Sequence, residues 1–486
     1  PHGGCHFRMK SGSLVGMKHI VIVFFIVCFT TQHVKAQTDT VELNYIADYY
    51  FENLLPYSAY TSCFHEQGEP YIYAACRDLG VVTFDITDVA NPLPIDTVAL
   101  FALNGFKPTN LSQHGNYLYV ATGGFDGFAQ NAGLTILDIG DPTHPVIKDL
   151  WDSIAFNQGA AIVITDGDYA YLGGMEEGVI ILDVKDKTHI KYVSSILPDP
   201  NFPEVPGLFS VPNARGLAFY GEDKLLVAND AGGLRVIDIS NKLIPVEIEK
   251  YVNTDIEDIA QSAYNNIVVV DHYAYITVDM CGMEVVDLNT NPISNVMWFN
   301  PWDCDSTNWI GRPGHTNEIK SVGDSLLFVS GGDSELLIFD ITERTNPRLV
   351  GSYANVLDSI ATWAIDVRYP YVSLALINNE IFGVPFYSNV GGIALLEWNA
   401  VPVVGIEETS ITALQMYPNP VINTLHVILT SGAKYYLIKD FSGRNIFEGT
   451  TNNNNIDCTS LNAGMYMINL FDTQGVLSSS GVFIKQ

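Results

Sequence analysis

The chain has 486 residues, of which 47% are hydrophobic and 16% are charged, a composition with ample material for a globular core. Its 54 acidic residues against 24 Lys and Arg give a formal net charge of −30. A chain this acidic repels nucleic acids and anionic membrane surfaces, so neither is expected as a partner.

Residues 1–36 are interpreted as upstream residues and a secretory signal peptide. A short basic start precedes an apolar run at residues 20–29. That run is too short for a good membrane span, so no transmembrane segment is expected in the mature protein. A small-residue pattern predicts cleavage between Ala36 and Gln37, and therefore export.

One motif recurs seven times along residues 37–400. A glycine usually opens it, an apolar and β-branched run follows, and an acid ends it before a polar loop. The copy at residues 133–145 has the sequence GLTILDIGDPTHP. The acids that end the seven copies are Asp85, Asp138, Asp183, Asp238, Asp287, Asp340 and Glu397. Successive acids are 45 to 57 residues apart, a period typical of repeat arrays and β-propellers.

Each copy contains four strand-like runs, which we call its first to fourth strands. In the third copy they span residues 160–165, 169–173, 179–184 and 190–196. The motif strand is apolar on both faces, so one unit alone cannot bury it. The sequence therefore predicts an all-β fold in which seven units close into a seven-bladed β-propeller. A Tyr-x-Tyr pair in the second strand of five copies is expected to pack between blades.

The two ends of the repeat region indicate how the ring closes. After Glu397 the seventh copy has no clear fourth strand, whereas residues 43–51 precede the first copy and belong to no unit. We predict that this N-terminal strand completes the seventh blade, because such pairing removes an open sheet edge.

The repeated motif resembles the LVIVD-repeat family over about residues 41–400. That resemblance implies propeller blades in an exported or surface protein. The family has no defined catalytic residues, so none is transferred to this chain. The copy ending at Asp183 lacks the usual prolines, and the seventh copy ends in Glu397 and Trp398, which are departures from the pattern.

A polar linker at residues 401–415 precedes a small C-terminal domain at residues 416–486. This domain opens with the sequence MYPNPV and continues with several strand-like runs, typical of a small Ig-like β-sandwich. It resembles the type A sorting domain of type IX secretion, the Por secretion system. The YPNPV opening, the KDFSG turn at residues 439–443 and the basic end of the last strand all match. The resemblance implies the type IX machinery as a partner, and a secreted or outer-membrane surface location.

Four long segments are predicted to share one face of the propeller, two between the second and third strands of a blade and two between successive blades. They span residues 123–133, 199–213, 300–316 and 376–391, and we call this side the loop face. Aromatic rings on these segments, and polar residues at the starts of first strands, suit a ligand site at the channel mouth. The candidate ligand-binding residues are Lys107, Arg215, His315, Asn317, Glu318, Trp363, Trp302 and Phe386. The alternative is that the rings pin the loops and the polar groups bind channel water.

No P-loop, nucleophile elbow or zinc-protease motif is found, and no catalytic residue is predicted. We therefore favour a non-catalytic binding or adhesion module with a carbohydrate or protein ligand. The alternative is a secreted hydrolase or lyase at the channel mouth, which would be favoured if Arg215, His315 and Glu318 converged on one point. No cofactor or metal site is predicted. Residues 303–308 lack the Gly and terminal Glu of a calcium loop, so calcium is kept only as an alternative.

Five cysteines remain in the predicted mature chain, and four form two candidate disulfides. A turn at Glu69 and Pro70 would place Cys63 opposite Cys76. Cys281 and Cys304 are both predicted on the loop face and form the second candidate pair. Free thiols are the alternative for each pair.

Overall fold

The computed structural model describes residues 38–51, 58–123, 130–204, 211–257, 263–301, 304, 314–331, 336–353, 360–378, 388–402, 412–414, 416–427, 435–440, 445–450, 454–471 and 477–486. The chain divides into two compact units, Pro1–Val401 and Pro402–Gln486, and each is described by itself. Among the described residues, no helix has the length and apolar character needed to cross a bilayer.

The first unit begins with strand β1 (Thr38–Tyr50) and continues through four-stranded antiparallel sheets. The first sheet contains β2 (Ala59–Phe64), β3 (Tyr71–Cys76), β4 (Gly80–Asp85) and β5 (Leu93–Ala99), with a 3-10 turn at Leu100–Leu103 after it. The second contains β6 (Pro108–His114), β7 (Tyr117–Thr122), β8 (Ala132–Asp138) and β9 (Val146–Ser153). The third contains β10 (Ile162–Thr165), β11 (Tyr169–Gly173), β12 (Val179–Asp183) and β13 (Lys191–Ile196).

The remaining four-stranded units follow the same order, and the fourth and fifth are joined into one eight-stranded sheet by a bridge between Asp230 and Tyr264. The fourth contains β14 (Pro212–Tyr220), β15 (Lys224–Asp230), β16 (Leu234–Asp238) and β17 (Val246–Tyr251), followed by the one-turn helix α1 (Thr254–Glu257). The fifth contains β18 (Tyr264–Val270), β19 (Tyr273–Val278), β20 (Met283–Asp287) and β21 (Ser294–Phe299). The sixth contains β22 (Ile319–Val322), β23 (Leu326–Ser330), β24 (Leu336–Asp340) and β25 (Arg348–Tyr353). The seventh contains β26 (Thr362–Arg368), β27 (Tyr371–Leu376), β28 (Gly392–Pro402) and β1.

The sheets pack side by side in a closed ring. Among the described residues, seven hydrophobic clusters each combine side chains from two neighbouring sheets. One cluster joins the seventh sheet to the first, with Leu395 and Phe84 among its members. Each motif strand is therefore covered on both faces, as its apolar sequence requires. The fold is a β-propeller, as predicted, and the described strands form seven four-stranded units.

The acid that ends the motif strand organises the turn after it. The Asp138 Oδ1 accepts a hydrogen bond from the Gly140 backbone N–H at 2.9 Å. The same i to i+2 bond forms at Asp85, Asp183, Asp238, Asp287 and Asp340. Because this Asx turn satisfies a backbone donor locally, one short side chain suffices to end each strand at the same point.

The second tyrosine of the Tyr-x-Tyr pair packs between sheets, as predicted. Tyr73, Tyr119, Tyr171 and Tyr275 are fully buried. The Tyr73 hydroxyl donates to the Pro142 carbonyl at 3.2 Å, and the Tyr275 hydroxyl donates to the Arg344 carbonyl at 2.9 Å. Both acceptors lie in the turn that follows the motif strand of the next sheet, so these phenols join neighbouring blades.

The N-terminal strand closes the ring where the sequence predicts. Strand β1 lies next to β28, and the Phe51 backbone N–H donates to the Gly391 carbonyl at 2.9 Å. At Gly392, φ is +154° and a Cβ would lie 2.0 Å from the Tyr49 carbonyl oxygen. Only glycine allows the two strands to approach this closely.

The two candidate disulfides have different outcomes. Cys281 and Cys304 form a disulfide, with their Cα atoms 5.1 Å apart. Cys63 and Cys76 are free thiols, so the pairing predicted for them is wrong. The β2–β3 register places Cys63 opposite Tyr73 and Cys76 opposite Ala59, because the connection is longer than a two-residue turn and the register shifts near Thr61.

The second unit consists of two small sheets around one core. Its strands are β29 (Thr412–Ala413), β30 (Met416–Tyr417), β31 (Thr424–Val427), β32 (Tyr435–Asp440), β33 (Asn445–Thr450), β34 (Asn455–Asp457), β35 (Gly464–Phe471) and β36 (Leu477–Lys485). One sheet has the order β29-β36-β35-β32-β33 and the other β30-β31-β34. Leu425 and Ile456 from the smaller sheet pack with Ile438 and Phe483 from the larger one. This is the predicted β-sandwich.

Candidate functional site

A channel that is open to solvent lies where the first strands of all seven sheets meet. The lining residues lie in each first strand or directly before it. They are Tyr60, Thr61, Thr109, Asn110, Ala161, Ile162, Arg215, Asn265, Asn266, Asn317, Glu318 and Trp363. Since every blade contributes, the site exists only in the closed ring.

A cation and two aromatic rings form one part of the wall. The Arg215 guanidinium lies 5.8 Å from the centre of the Trp363 ring, although the two residues belong to the fourth and seventh sheets. Trp363 also meets the edge of Tyr60, with ring centres 6.0 Å apart. Arg77 donates to the Tyr60 hydroxyl at 3.2 Å, which orients that ring. These planar groups provide surfaces for stacking.

A hydrogen-bonded chain fixes the backbone beneath Trp363. The Glu318 backbone N–H donates to the Ser330 hydroxyl at 2.8 Å, and that hydroxyl donates to the Trp363 carbonyl at 3.0 Å. The Glu318 carboxylate lies 3.2 Å from the Lys320 ammonium. This carboxylate raises the pKa of Lys320 above its usual range, so the lysine stays charged. The sixth and seventh blades are thereby tied together at the wall.

An asparagine pair forms the wall between the fifth and sixth sheets. The Asn265 Nδ2 donates to the Thr316 carbonyl at 2.8 Å and to the Asn317 Oδ1 at 3.2 Å. Within the described parts of the chain, the Asn265 Oδ1 and the Asn317 Nδ2 are buried without a hydrogen-bond partner. Such an atom costs about 1–3 kcal/mol when it stays unsatisfied. Asn110 differs, because its Nδ2 donates to Thr61 and its Oδ1 accepts from the Val163 backbone.

A buried acid cluster lies beside the channel wall on the loop face. The Asn213 amide donates to the Asp230 Oδ2 at 3.1 Å, and the His315 Nδ1 is hydrogen-bonded to the Asp279 Oδ1. Burial raises the pKa of Asp230 to about 6, although the charge of Arg215 and the Asn213 hydrogen bond oppose the rise. The charge of Asp279 adds to it. One carboxyl of the cluster therefore titrates near neutrality.

Asp230 and Asp279 were not among the residues predicted from sequence. Each stands three positions before the glycine that opens its motif, at Gly233 and Gly282. Both have a left-handed backbone, with φ of 49° and 37°. Superposing the repeats would have shown two acids at one position in neighbouring copies, a signal that reading each copy separately misses. Aspartate tolerates this conformation better than most residues do.

The predicted site residues separate into three groups. Arg215, Asn317, Glu318 and Trp363 line the channel. Lys107 and His315 do not, because the Lys107 ammonium lies 3.3 Å from the Asp78 carboxylate and His315 pairs with Asp279. Trp302, Phe386 and the cleavage residues Ala36 and Gln37 lie outside the described residues. Arg215 and Glu318 therefore share the channel wall, while the imidazole of His315 belongs to the neighbouring cluster.

The one described ring of the long segments, Phe202, holds its own loop in place. It lies 4.9 Å below the Arg235 guanidinium and 5.0 Å from the Lys250 ammonium. Arg235 is fully buried, donates to the carbonyls of Asp199 and Phe202, and pairs with Glu247 at 2.7 Å. The Phe202 ring therefore anchors its segment to the fourth blade. This is the structural role that was given as the alternative to ligand binding for the aromatic rings of the long segments.

Among the described residues, no group of three or more His, Cys, Asp or Glu side chains could hold a metal ion. Of the segment at residues 303–308, only Cys304 is described, and it is in the disulfide.

Family models match both units of the chain. The LVIVD repeat model matches residues 108–152, 160–197, 213–253 and 313–355, and the secretion system C-terminal sorting domain model matches residues 415–485. The molecule is therefore a secreted β-propeller with a sorting domain. More particularly, it is a protein with LVIVD repeats that carries the type IX sorting signal, which directs it to the cell surface or the extracellular space.

Solved structures are similar to this chain at low sequence identity. PorZ, an essential surface component of the type IX secretion system of Porphyromonas gingivalis, is 12% identical with a TM-score of 0.40, over 87% of this chain and 65% of PorZ. Raptor from Chaetomium thermophilum is 12% identical with a TM-score of 0.51, over 75% of this chain and 29% of Raptor. The chain thus spans less than two thirds of either structure, and the likeness concerns the fold alone. A search of curated proteins found no match.

Proposed function

We propose that the mature propeller is a non-catalytic binding module of the cell surface or extracellular space, with its site at the channel mouth. The observation that carries this proposal is the wall itself, where Arg215, Trp363 and Glu318 come from three different blades to one opening. A rigid ring that holds planar and polar side chains around a concave site is the usual architecture of a ligand pocket.

The test begins with a screen of the secreted protein for ligands, using a glycan array and pull-downs. Against the ligand found, Arg215→Ala combined with Trp363→Ala should weaken binding by roughly 30-fold or more, since buried Trp and Arg anchors are each worth about 2 kcal/mol. The control is Asp141→Ala with His144→Ala, in the turn between β8 and β9 on the opposite face. Unchanged affinity in the first variant and lost affinity in the control would move the site to the other face.

A second candidate is a secreted hydrolase or lyase. It is favoured by the acid cluster, because a carboxyl with a pKa of about 6 next to an Asp–His pair is suited to proton transfer. If the ligand found in the screen is turned over, the rate should depend on a group with a pKa near 6, and Asp230→Asn should abolish turnover. Stable binding without turnover from pH 4 to pH 8 would reject this candidate.

A further inference from the structure

We propose that the ligand of the channel is a neutral carbohydrate, held by the Asn265–Asn317 pair through its hydroxyls and by Trp363 through one ring face. This inference rests on the proposed binding function and specifies its ligand class. It draws on three features of the wall: the direction of the asparagine amides, the balance of charge, and the exposed part of the indole.

The amide directions at the Asn265–Asn317 pair follow from their hydrogen bonds. A carbonyl oxygen can only accept, so the Asn265 side-chain atom that faces the Thr316 carbonyl is the Nδ2 donor. The other side-chain atom of Asn265 is therefore the Oδ1 acceptor. Because the Asn317 Oδ1 accepts from the same Nδ2, the remaining atom of Asn317 is a donor. The two side chains are only 6% and 8% exposed, yet both line the channel. The wall therefore holds one unused acceptor beside one unused donor among the described residues.

A hydroxyl group satisfies both atoms, since it donates one hydrogen bond and accepts others. Sugars present such hydroxyls on neighbouring ring carbons, together with a C–H face that stacks on an aromatic ring. Trp363 and Tyr60 are half-buried at the same opening, so they leave part of their rings accessible.

The charge of the wall favours a neutral ligand. Arg215 and Glu318 are the charged members of the lining, so their formal charges cancel. Each also has a charged neighbour of opposite sign, Asp230 for Arg215 and Lys320 for Glu318. A peptide terminus or an acidic sugar would bring a charge that this balanced wall does not complement. A polyhydroxyl ligand can accept from Arg215 and donate to Glu318 without an added charge.

The experiment uses the full mature chain and a panel of neutral gluco-, manno-, galacto- and xylo-oligosaccharides, with affinity measured by calorimetry. Asn317→Asp is the central variant, because it keeps the acceptor that Asn265 uses and removes the unused donor, and the charge that it adds is matched by the control variant. It should weaken binding of the best oligosaccharide at least 10-fold. Trp363→Ala should produce a similar loss through the missing ring face, and it tests the same site if the aspartate variant fails to fold.

Asn241→Asp is the matched control. It makes the same chemical change and adds the same charge in the exposed turn between β16 and β17, outside the channel lining, and it keeps the oxygen that accepts from the Leu243 backbone N–H. We expect less than a threefold change in affinity once melting curves show that the variant is folded.

The outcomes separate the two proposals. If no neutral oligosaccharide binds, but a peptide or charged ligand does and its affinity depends on Arg215 and Trp363, the carbohydrate inference fails and the binding function stands. Oligosaccharide binding that is unaffected by Asn317→Asp and by Trp363→Ala also overturns the inference. If the affinity for the ligand found by screening does not change when Arg215 and Trp363 are replaced, both the carbohydrate inference and the proposed function fail.

Discussion

Two buried carboxyls, those of Glu284 and Asp230, differ in their hydrogen-bond partners and in their distance from the channel. Glu284 stands at a motif-strand position between the fourth and fifth blades and is fully buried. Its oxygens accept from the Tyr264 hydroxyl at 2.6 Å, from the Tyr251 hydroxyl at 3.0 Å and from the Asn295 amide at 2.6 Å. Burial raises its pKa while these bonds lower it. Glu284 is thus a saturated structural group, whereas Asp230 lies near Arg215 and the channel.

Asp230 makes the stability of the propeller depend on pH. Its folded pKa of about 6 lies above the ordinary value for aspartate, so the protonated form is favoured in the folded state. The stabilisation is complete below pH 4 and is lost as the pH rises through about 6. A shift of this size corresponds to about 2–3 kcal/mol.

We therefore expect Asp230→Asn to flatten the fall in unfolding free energy between pH 4 and pH 6. Asparagine tolerates the left-handed backbone at this position, so the exchange should not strain the turn. Urea unfolding at half-unit pH steps measures the effect, with Asp141→Asn on an exposed turn as the control. An unchanged pH profile in Asp230→Asn would show that Asp230 is not the titrating group.

At the scale of single elements, β1 is the strand whose removal should matter most. It completes the seventh sheet and supplies Val41 to one interblade core and Ile46 and Tyr49 to the next. Without it, β28 would expose an unpaired edge and both cores would lose apolar cover.

A chain that starts at Tyr57 should melt at least about 10 °C below a chain that starts at Gln37, or should lose cooperative unfolding. The 37-start chain is the matched control, because it also lacks the leader but retains β1. Differential scanning calorimetry gives both melting temperatures. Equal melting temperatures would mean that the ring does not depend on this closure.

At the scale of the whole molecule, the sorting signal and the proposed binding site belong to different units. The sorting-domain match covers residues 415–485, and the channel is lined entirely by residues of the first unit. The two activities should therefore be separable by mutation.

Deleting residues 416–486 should leave the protein in the periplasm, because the signal for the type IX machinery is removed. Cell fractionation and protease treatment of intact cells measure the location. Full-length Arg215→Ala with Trp363→Ala is the control and should still reach the surface. Surface exposure of the truncated chain would refute a sorting role for these residues.

The fold was largely predictable because it depends on patterns that are local in sequence. Apolar strands of the motif require cover on both faces, and in six of the seven copies one Asp forms the turn that ends the strand, so the copies imply one repeated unit. The strands predicted for the third copy agree with β10–β13 to within two residues. The Cys63–Cys76 pairing failed because the register depends on the length of one connection and a nearby shift, which apolar periodicity does not specify.

The sequence by itself determined the class of fold, the closing strand, the sorting domain and the general location of polar first-strand residues. Only the tertiary structure decided which of those residues meet. Arg215 and Trp363 are 148 positions apart in the chain and become neighbours because the ring brings all first strands to one axis. His315 was predicted to lie in the same site as Arg215 and Trp363. Its imidazole is instead hydrogen-bonded to Asp279 and belongs to the acid cluster. Contacts across a closed ring depend on the packing of every blade, and no local pattern contains that information.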